Sequence, residues 1–356
     1  MSYTKFQFIT LETPTGAPVT PVNMSTTDYV ATVAKATGYD LSKLGDDAKN
    51  RLNWIRQAVD EALNSKGIGD KDTLKIFAAP EFFFRPETSD EEIKLKLPNR
   101  AYSYDARRKI HQFFEHLFRD DNLKDWLIIP GTVLGHETSD PQSTTPNRAY
   151  VIRGGMPALG QTPILSIHAK FNTPETDEIP KKRLWTGLPA NAKWSTTGEQ
   201  YKLQVSTLKQ ALTNIITVDG VRIGIDLCMD HGCQILFRTC VMMGGDSKPE
   251  AVHLQLLVAC GKPATAEAVA TVEGGFLLRV DGATKVLPHS QVLRVTQVDW
   301  DNRGSGSSYS PDLKTGKYQY VDSVVSRRGF QPTINKADAA YDECLRVYEP
   351  MVFPKE

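Results

Sequence analysis

Short apolar runs of strand length recur along most of this chain, each stopped by a turn residue or a charge, and that pattern limits the fold more than any other feature. Residues 5–10, 74–79, 126–130, 149–153, 163–168, 221–227, 253–258, 275–280 and 292–298 all read as strands. A further run at 211–218 is joined to 221–227 by Asp219-Gly220, a strong hairpin signal. Helical spacing shows early, with Leu52, Ile55, Val59, Ala62 and Leu63 on one face of 51–65, then again over 104–118 and 234–243. The chain therefore opens β-α-β-α-β and continues mainly as strands. This order fits a layered α/β sandwich better than a strictly alternating barrel. The Thr/Pro/Ser-rich stretch within 11–43 reads as an insertion or long loop, and the Gly/Ser run 302–309 introduces a C-terminal arm, 301–356, with one helical pattern at 336–348. No internal repeat is present.

Composition removes several classes of function. A chain of 356 residues can hold a sizeable core, and 42 Lys and Arg against 42 Asp and Glu leave no overall field to gather phosphates, so nucleic acid is not an expected partner. No apolar run approaches the roughly 18 residues that span a bilayer. The opening MSYTKFQF is neither basic nor apolar enough for a signal peptide, and the expectation is a cytoplasmic protein with no membrane partner. Five cysteines, an odd and low number, argue for reduced thiols rather than a disulfide framework.

One of those thiols is placed for chemistry. Cys228 follows the run 221–227 and precedes the helical pattern 234–243, a strand-to-helix turn where the helix N-terminus favours thiolate over thiol. A lone cysteine is more often a small buried hydrophobe, so its position alone does not decide its role. Two further strands end in charge: LKIFAAPE in Glu81 and PILSIHAK in Lys170. Zinc binding by Cys228, His231, Cys233 and Cys240 lacks the paired spacing such sites use, and no metal or cofactor is expected. A papain-like Cys-His pair is disfavoured because His231, three residues from Cys228, is poorly placed to act as its base. His168 shares a strand face with Lys170 and, with Phe82 and His231, is a candidate pocket residue.

In the order Glu, Lys, Cys, the segments IFAAPEFFF, ILSIHAKFN and VRIGIDLCMD resemble the three catalytic motifs of the nitrilase superfamily of carbon–nitrogen hydrolases. WLIIPGTVLG with NRAYVIRGG, and AVHLQLLVACG, are similar to the family's intervening strands, and the resemblance runs over about residues 3–300. It implies a four-layer α-β-β-α sandwich, a catalytic domain at 1–300, and Glu81, Lys170 and Cys228 as a triad. Glu178 falls where many members carry a second active-site glutamate, and the backbone N–H of Met229 would join Lys170 in binding an oxyanion. The implied reaction is cysteine-dependent hydrolysis of a small amide or carbamoyl compound through a thioester. True nitrilase activity and a catalytically silent scaffold are the alternatives. A homodimer or larger homo-oligomer, with the C-terminal region in its contacts, is also implied. The chain departs from the usual pattern at 181–202, an insertion that follows the Lys170 segment and is a candidate lid.

Overall fold

The computed structural model describes residues 2–15, 27–86, 101–140, 145–170, 214–244, 249–283, 289–296, 298, 300, 318–320, 324–329 and 344–354. Along the chain the elements are β1 (Lys5–Glu12), α1 (Tyr29–Thr37), α2 (Asp46–Leu63), β2 (Thr73–Ala78), α3 (Tyr104–Leu117), β3 (Trp126–Ile129), β4 (Thr132–Leu134), β5 (Asn147–Arg153) and β6 (Ile164–Ala169). Then follow β7 (Ile215–Val218), β8 (Val221–Leu227), the short α4 (Met229–Gly232), α5 (Ile235–Gly244), β9 (Val252–Ala259), β10 (Thr271–Asp281), β11 (Ser290–Val295), β12 (Tyr318–Tyr320), β13 (Val324–Gly329), β14 (Cys344–Tyr348) and β15 (Met351–Val352).

The strands form two mixed sheets. The first runs β13-β14-β1-β2-β3-β5-β4, with β15 also on β1 and β6 on β5; the second runs β12-β11-β10-β9-β8-β7. β1, β2 and β3 are parallel, as are β8, β9 and β10, which is why their sequences are apolar on both faces. Alternation decides which residue faces which layer. Leu74, Ile76 and Ala78 of β2 meet Ile223, Ile225 and Leu227 of β8 between the sheets, while Phe77 turns outward with Ile9 and Leu11 to the helices. α3 has a firm start, with Ser103 accepting from the Ala106 N–H, and it packs Ile110, Phe113, Phe114 and Leu117 inward. On the far side of the second sheet, Leu236, Phe237 and Cys240 of α5 pack on Val252 and Ala270.

Two segments differ from their sequence reading. The stretch expected to be loop up to residue 43 contains α1, capped by Asp28 and ended by Gly38 at φ 73°. Its sequence signal is weak because only Val30 and Ala34 are buried, and Thr and Val lower its intrinsic propensity; packing against α2 and α3 supplies the rest. At the C-terminus, residues 344–348 of the expected helix 336–348 are strand β14, and the remainder of that helix lies outside the described residues. β14 pairs antiparallel with β1, Ile9 opposite Val347, so this part of the expected arm completes the chain's own first sheet. Buried Gln7 stitches the join: its amide donates to the Gly67 and Tyr348 carbonyls, and its oxygen accepts from the Gly69 N–H.

Candidate active site

Three strand ends converge where the two sheets meet. β2 leads through Ala79-Pro80 to Glu81, β6 leads directly to Lys170, and β8 leads directly to Cys228. β9, the central neighbour of β8, fixes two of them: the Cys228 N–H donates to the Val258 carbonyl at 2.9 Å, and the Glu81 N–H, from the other sheet, donates to the Ala259 carbonyl at 3.3 Å. The Cys228 thiol also lies 3.9 Å from the Cys260 carbonyl oxygen.

Both backbone turns that present the reactive groups are strained. Cys228 has φ 50°, ψ −100°, and Phe82, next to Glu81, has φ 61°. Left-handed backbone at a bulky residue costs on the order of 1–3 kcal/mol and persists only where its surroundings enforce it. At Phe82 the enforcing contacts are an N–H bond to the Thr132 hydroxyl at 2.8 Å and the close approach of Gly131. Gly131 has φ 83°, and a Cβ there would lie 2.5 Å from the Pro80 carbonyl oxygen, so only glycine lets this turn fold beneath Glu81.

Glu81 and Lys170 form an ion pair at 2.8 Å with both side chains wholly buried. The Asn147 amide donates to the same carboxylate oxygen at 2.9 Å, and the Asn147 carbonyl accepts from the Lys170 N–H at 2.8 Å. The Lys170 ammonium lies over the Phe82 ring, 5.4 Å from its centroid. Cys228 is 7% exposed and lies close enough to Glu81 and Lys170 for both charges to act on its thiol. Burial, then the Glu81 charge, push this thiol well above the ordinary range, and Lys170 only partly opposes them. The following helix has four residues, and burial beside a carboxylate outweighs the thiolate-favouring effect of its N-terminus. At rest the thiol is neutral.

No family model and no curated protein matches the chain. Solved structures do. The chain overlaps Saccharomyces cerevisiae Nit3, a member of branch 10 of the nitrilase superfamily, at 12% identity over 82% of this chain and 83% of that one, with a TM-score of 0.42. An amidase from Nesterenkonia sp. matches at 12% identity over 78% and 75%, TM-score 0.40, and a carbon-nitrogen hydrolase from Helicobacter pylori G27 at 9% over 83% of each chain, TM-score 0.39. At identities this low the chemistry has to be read from this chain's own side chains.

The remaining sequence candidates divide. Met229 opens α4 beside Cys228 and is half-buried. His168 is buried with its Nε2 3.7 Å from Asp230 Oδ2. His231 is fully buried and engaged at both ring nitrogens: its Nε2 accepts from the Thr265 N–H, so the proton sits on Nδ1, which donates to Asp226 at 3.0 Å. Glu178 and the 181–202 insertion lie outside the described residues. Asn147 and Asp226 were not singled out from the sequence. Asp226 is a buried polar group inside the apolar strand β8, the one signal that would have marked it, and Asn147 is buried at the first position of β5. Asp226 accepts from Gln255 at 2.7 Å and from the Leu236 N–H at 3.3 Å, anchoring α5 behind the nucleophile's turn. Among the described residues no group of three or more His, Cys, Asp or Glu is arranged to hold a metal, and no helix is long and apolar enough to cross a membrane. A surface groove of about 530 Å3 between α1, α2 and α3, lined by Tyr29, Val33, Arg56 and Leu117 among others, contains none of the site's side chains.

Proposed function

We propose that the protein is a carbon–nitrogen hydrolase that cleaves a small amide or carbamoyl compound, with Cys228 as nucleophile, Glu81 as general base and acid, and Lys170 as the cationic half of an oxyanion site. The observation that carries the reading is a wholly buried carboxylate–ammonium pair whose two charges both act on a buried thiol. A thiol whose proton is directed at a carboxylate needs no standing thiolate, because proton transfer accompanies attack.

In the first half-reaction the thiol proton passes to Glu81 as sulfur bonds to the acyl carbon. The developing oxyanion is met by Lys170 and the Met229 N–H, where one well-aimed donor contributes roughly 3–4 kcal/mol. Glu81 returns the proton to the departing nitrogen and a thioester remains. Water, deprotonated by Glu81, then hydrolyses it to the acid and frees the thiol. Asn147 keeps the carboxylate aimed throughout, and Glu178 is the candidate to balance Lys170 or orient the water.

The four-layer sandwich belongs to the same proposal; three apolar cores, helix against sheet, sheet against sheet, and sheet against α5, support it. So does the homodimer, which sedimentation velocity tests. The activity is tested by ammonia release across amides, carbamoyl compounds and nitriles, with mass spectrometry for an acyl adduct. Turnover of amides with an adduct on Cys228 is expected. Preference for nitriles would select the nitrilase alternative, and turnover of none would select the silent scaffold.

A further inference from the structure

β5 and β6 pair antiparallel with His168 directly opposite Ala149. Opposed residues share a face, and Ala149 belongs to the core between the two sheets. His168 therefore looks across to the second sheet, on the face that carries Lys170 two residues later. What it meets there is Asp230, from the turn that carries Cys228. The gap of 3.7 Å between His168 Nε2 and Asp230 Oδ2 is too long for a hydrogen bond, although the residues are 1% and 0% exposed. Neither ring nitrogen of His168 has a hydrogen-bond partner among the described residues. The contrast with His231, whose two nitrogens are both engaged, is pointed, because a buried unsatisfied imidazole needs a physical reason.

We propose that His168 is a positioning residue: its Nε2 closes on Asp230 and locks the Cys228 turn of the second sheet against the Lys170 strand of the first. The proposal rests on reading Cys228 as the nucleophile. Closing to a charge-assisted hydrogen bond takes about 0.9 Å of movement, and active-site hydrogen bonds that are long at rest commonly tighten as substrate is engaged. Asp230 is two residues past Cys228, so this movement carries Cys228 and the Met229 N–H toward Glu81 and Lys170. A misplacement of about 1 Å at such a site can cost on the order of 100-fold in rate.

The test follows iodoacetamide alkylation of the full-length, reduced protein by peptide mass spectrometry, with Cys233 as internal reference. His168→Phe and Asp230→Asn should each slow alkylation of Cys228 about tenfold or more, and the double variant should be no slower than either, the mark of one shared interaction. His168→Gln places an amide nitrogen near the Nε2 position and should recover most of the rate, while His168→Asn, which mimics Nδ1, should not. If His168→Phe fails to fold, His168→Asn with Asp230→Asn completes the same cycle. Single losses that multiply in the double variant, an unaffected Asp230→Asn, or equal behaviour of the Gln and Asn variants would overturn the proposal. Wild-type protein that is never alkylated at Cys228 would instead remove the nucleophile reading itself.

Discussion

Replacing Glu81 with glutamine separates the parts of the site most sharply, because that carboxylate serves three neighbours at once. It pairs with Lys170 at 2.8 Å, accepts from Asn147 at 2.9 Å, and its charge acts on the Cys228 thiol. Turnover should fall by about 10²–10⁴, the range for losing one positioned general acid–base group. Cys228 should nonetheless stay reactive toward a neutral electrophile. Burial and the Glu81 charge raise the thiol, whereas Lys170 lowers it, so the variant removes one raising influence and keeps the lowering one, with burial still opposing it. The pH inflection of alkylation must therefore move down relative to wild type. Stability follows the same sign. Breaking a buried ion pair costs about 3–5 kcal/mol, but a thiolate that forms at lower pH restores a counter-charge to Lys170. With the unfolded thiol unchanged and the folded one lowered, the stability deficit of the variant shrinks as pH rises. Alkylation rates and urea midpoints between about pH 6 and 10 read both effects. An inflection unmoved or raised in Glu81→Gln, or turnover within tenfold of wild type, would refute the reasoning.

Asn147→Leu removes a hydrogen bond to a buried charge, worth about 1.5–3 kcal/mol, and should lower kcat by roughly 10–100-fold with a smaller change in KM, checked by steady-state kinetics on the identified substrate. Gly131→Ala forces a Cβ against the Pro80 carbonyl at a positive-φ position; it should destabilise by more than about 1 kcal/mol and depress turnover by displacing Glu81, seen in paired urea melts and activity assays. Truncation after residue 343 strips Leu345, Val347, Tyr348, Met351 and Phe353 from the core, at about 1.5–3 kcal/mol each. The product should fail to fold cooperatively, and circular dichroism showing a native, sharply melting protein would contradict the pairing of β14 with β1.

What the sequence made legible follows a physical rule. β2, β6 and β8 are apolar runs that stop at a reactive side chain, and local pattern suffices to see both the run and its end. The parts that stayed hidden depend on partners distant in the chain. β14 is strand because β1, more than 330 residues earlier, offers it an open edge, and nothing within CLRVY announces that. α1 buries only two side chains, too few for periodicity to register. A helix start can be seen in sequence, whereas the burial that raises the Cys228 thiol cannot.

The division of the site between two sheets explains why so many of its polar groups lie at the junction. Glu81 and Lys170 are delivered by the first sheet and Cys228 by the second, so no single strand pairing fixes the distance between acid, cation and nucleophile. Contacts that cross the gap must do so. The Glu81 N–H on the Ala259 carbonyl is one, at the end of β9. The Lys170 N–H on Asn147, together with the Asn147 amide on Glu81, ties β6 to the β2 turn within the first sheet. Asp226, through Leu236 and His231, holds α5 and the turn after Cys228 within the second. The apolar core between the sheets sets the overall placement of the two halves, and beside the reactive groups themselves the β9 contact and the long approach of His168 to Asp230 cross the gap. Substitutions at these crossing contacts should alter the chemistry of Cys228 more than the stability of either sheet, whereas substitutions at Asp226 or Gln255 should do the reverse.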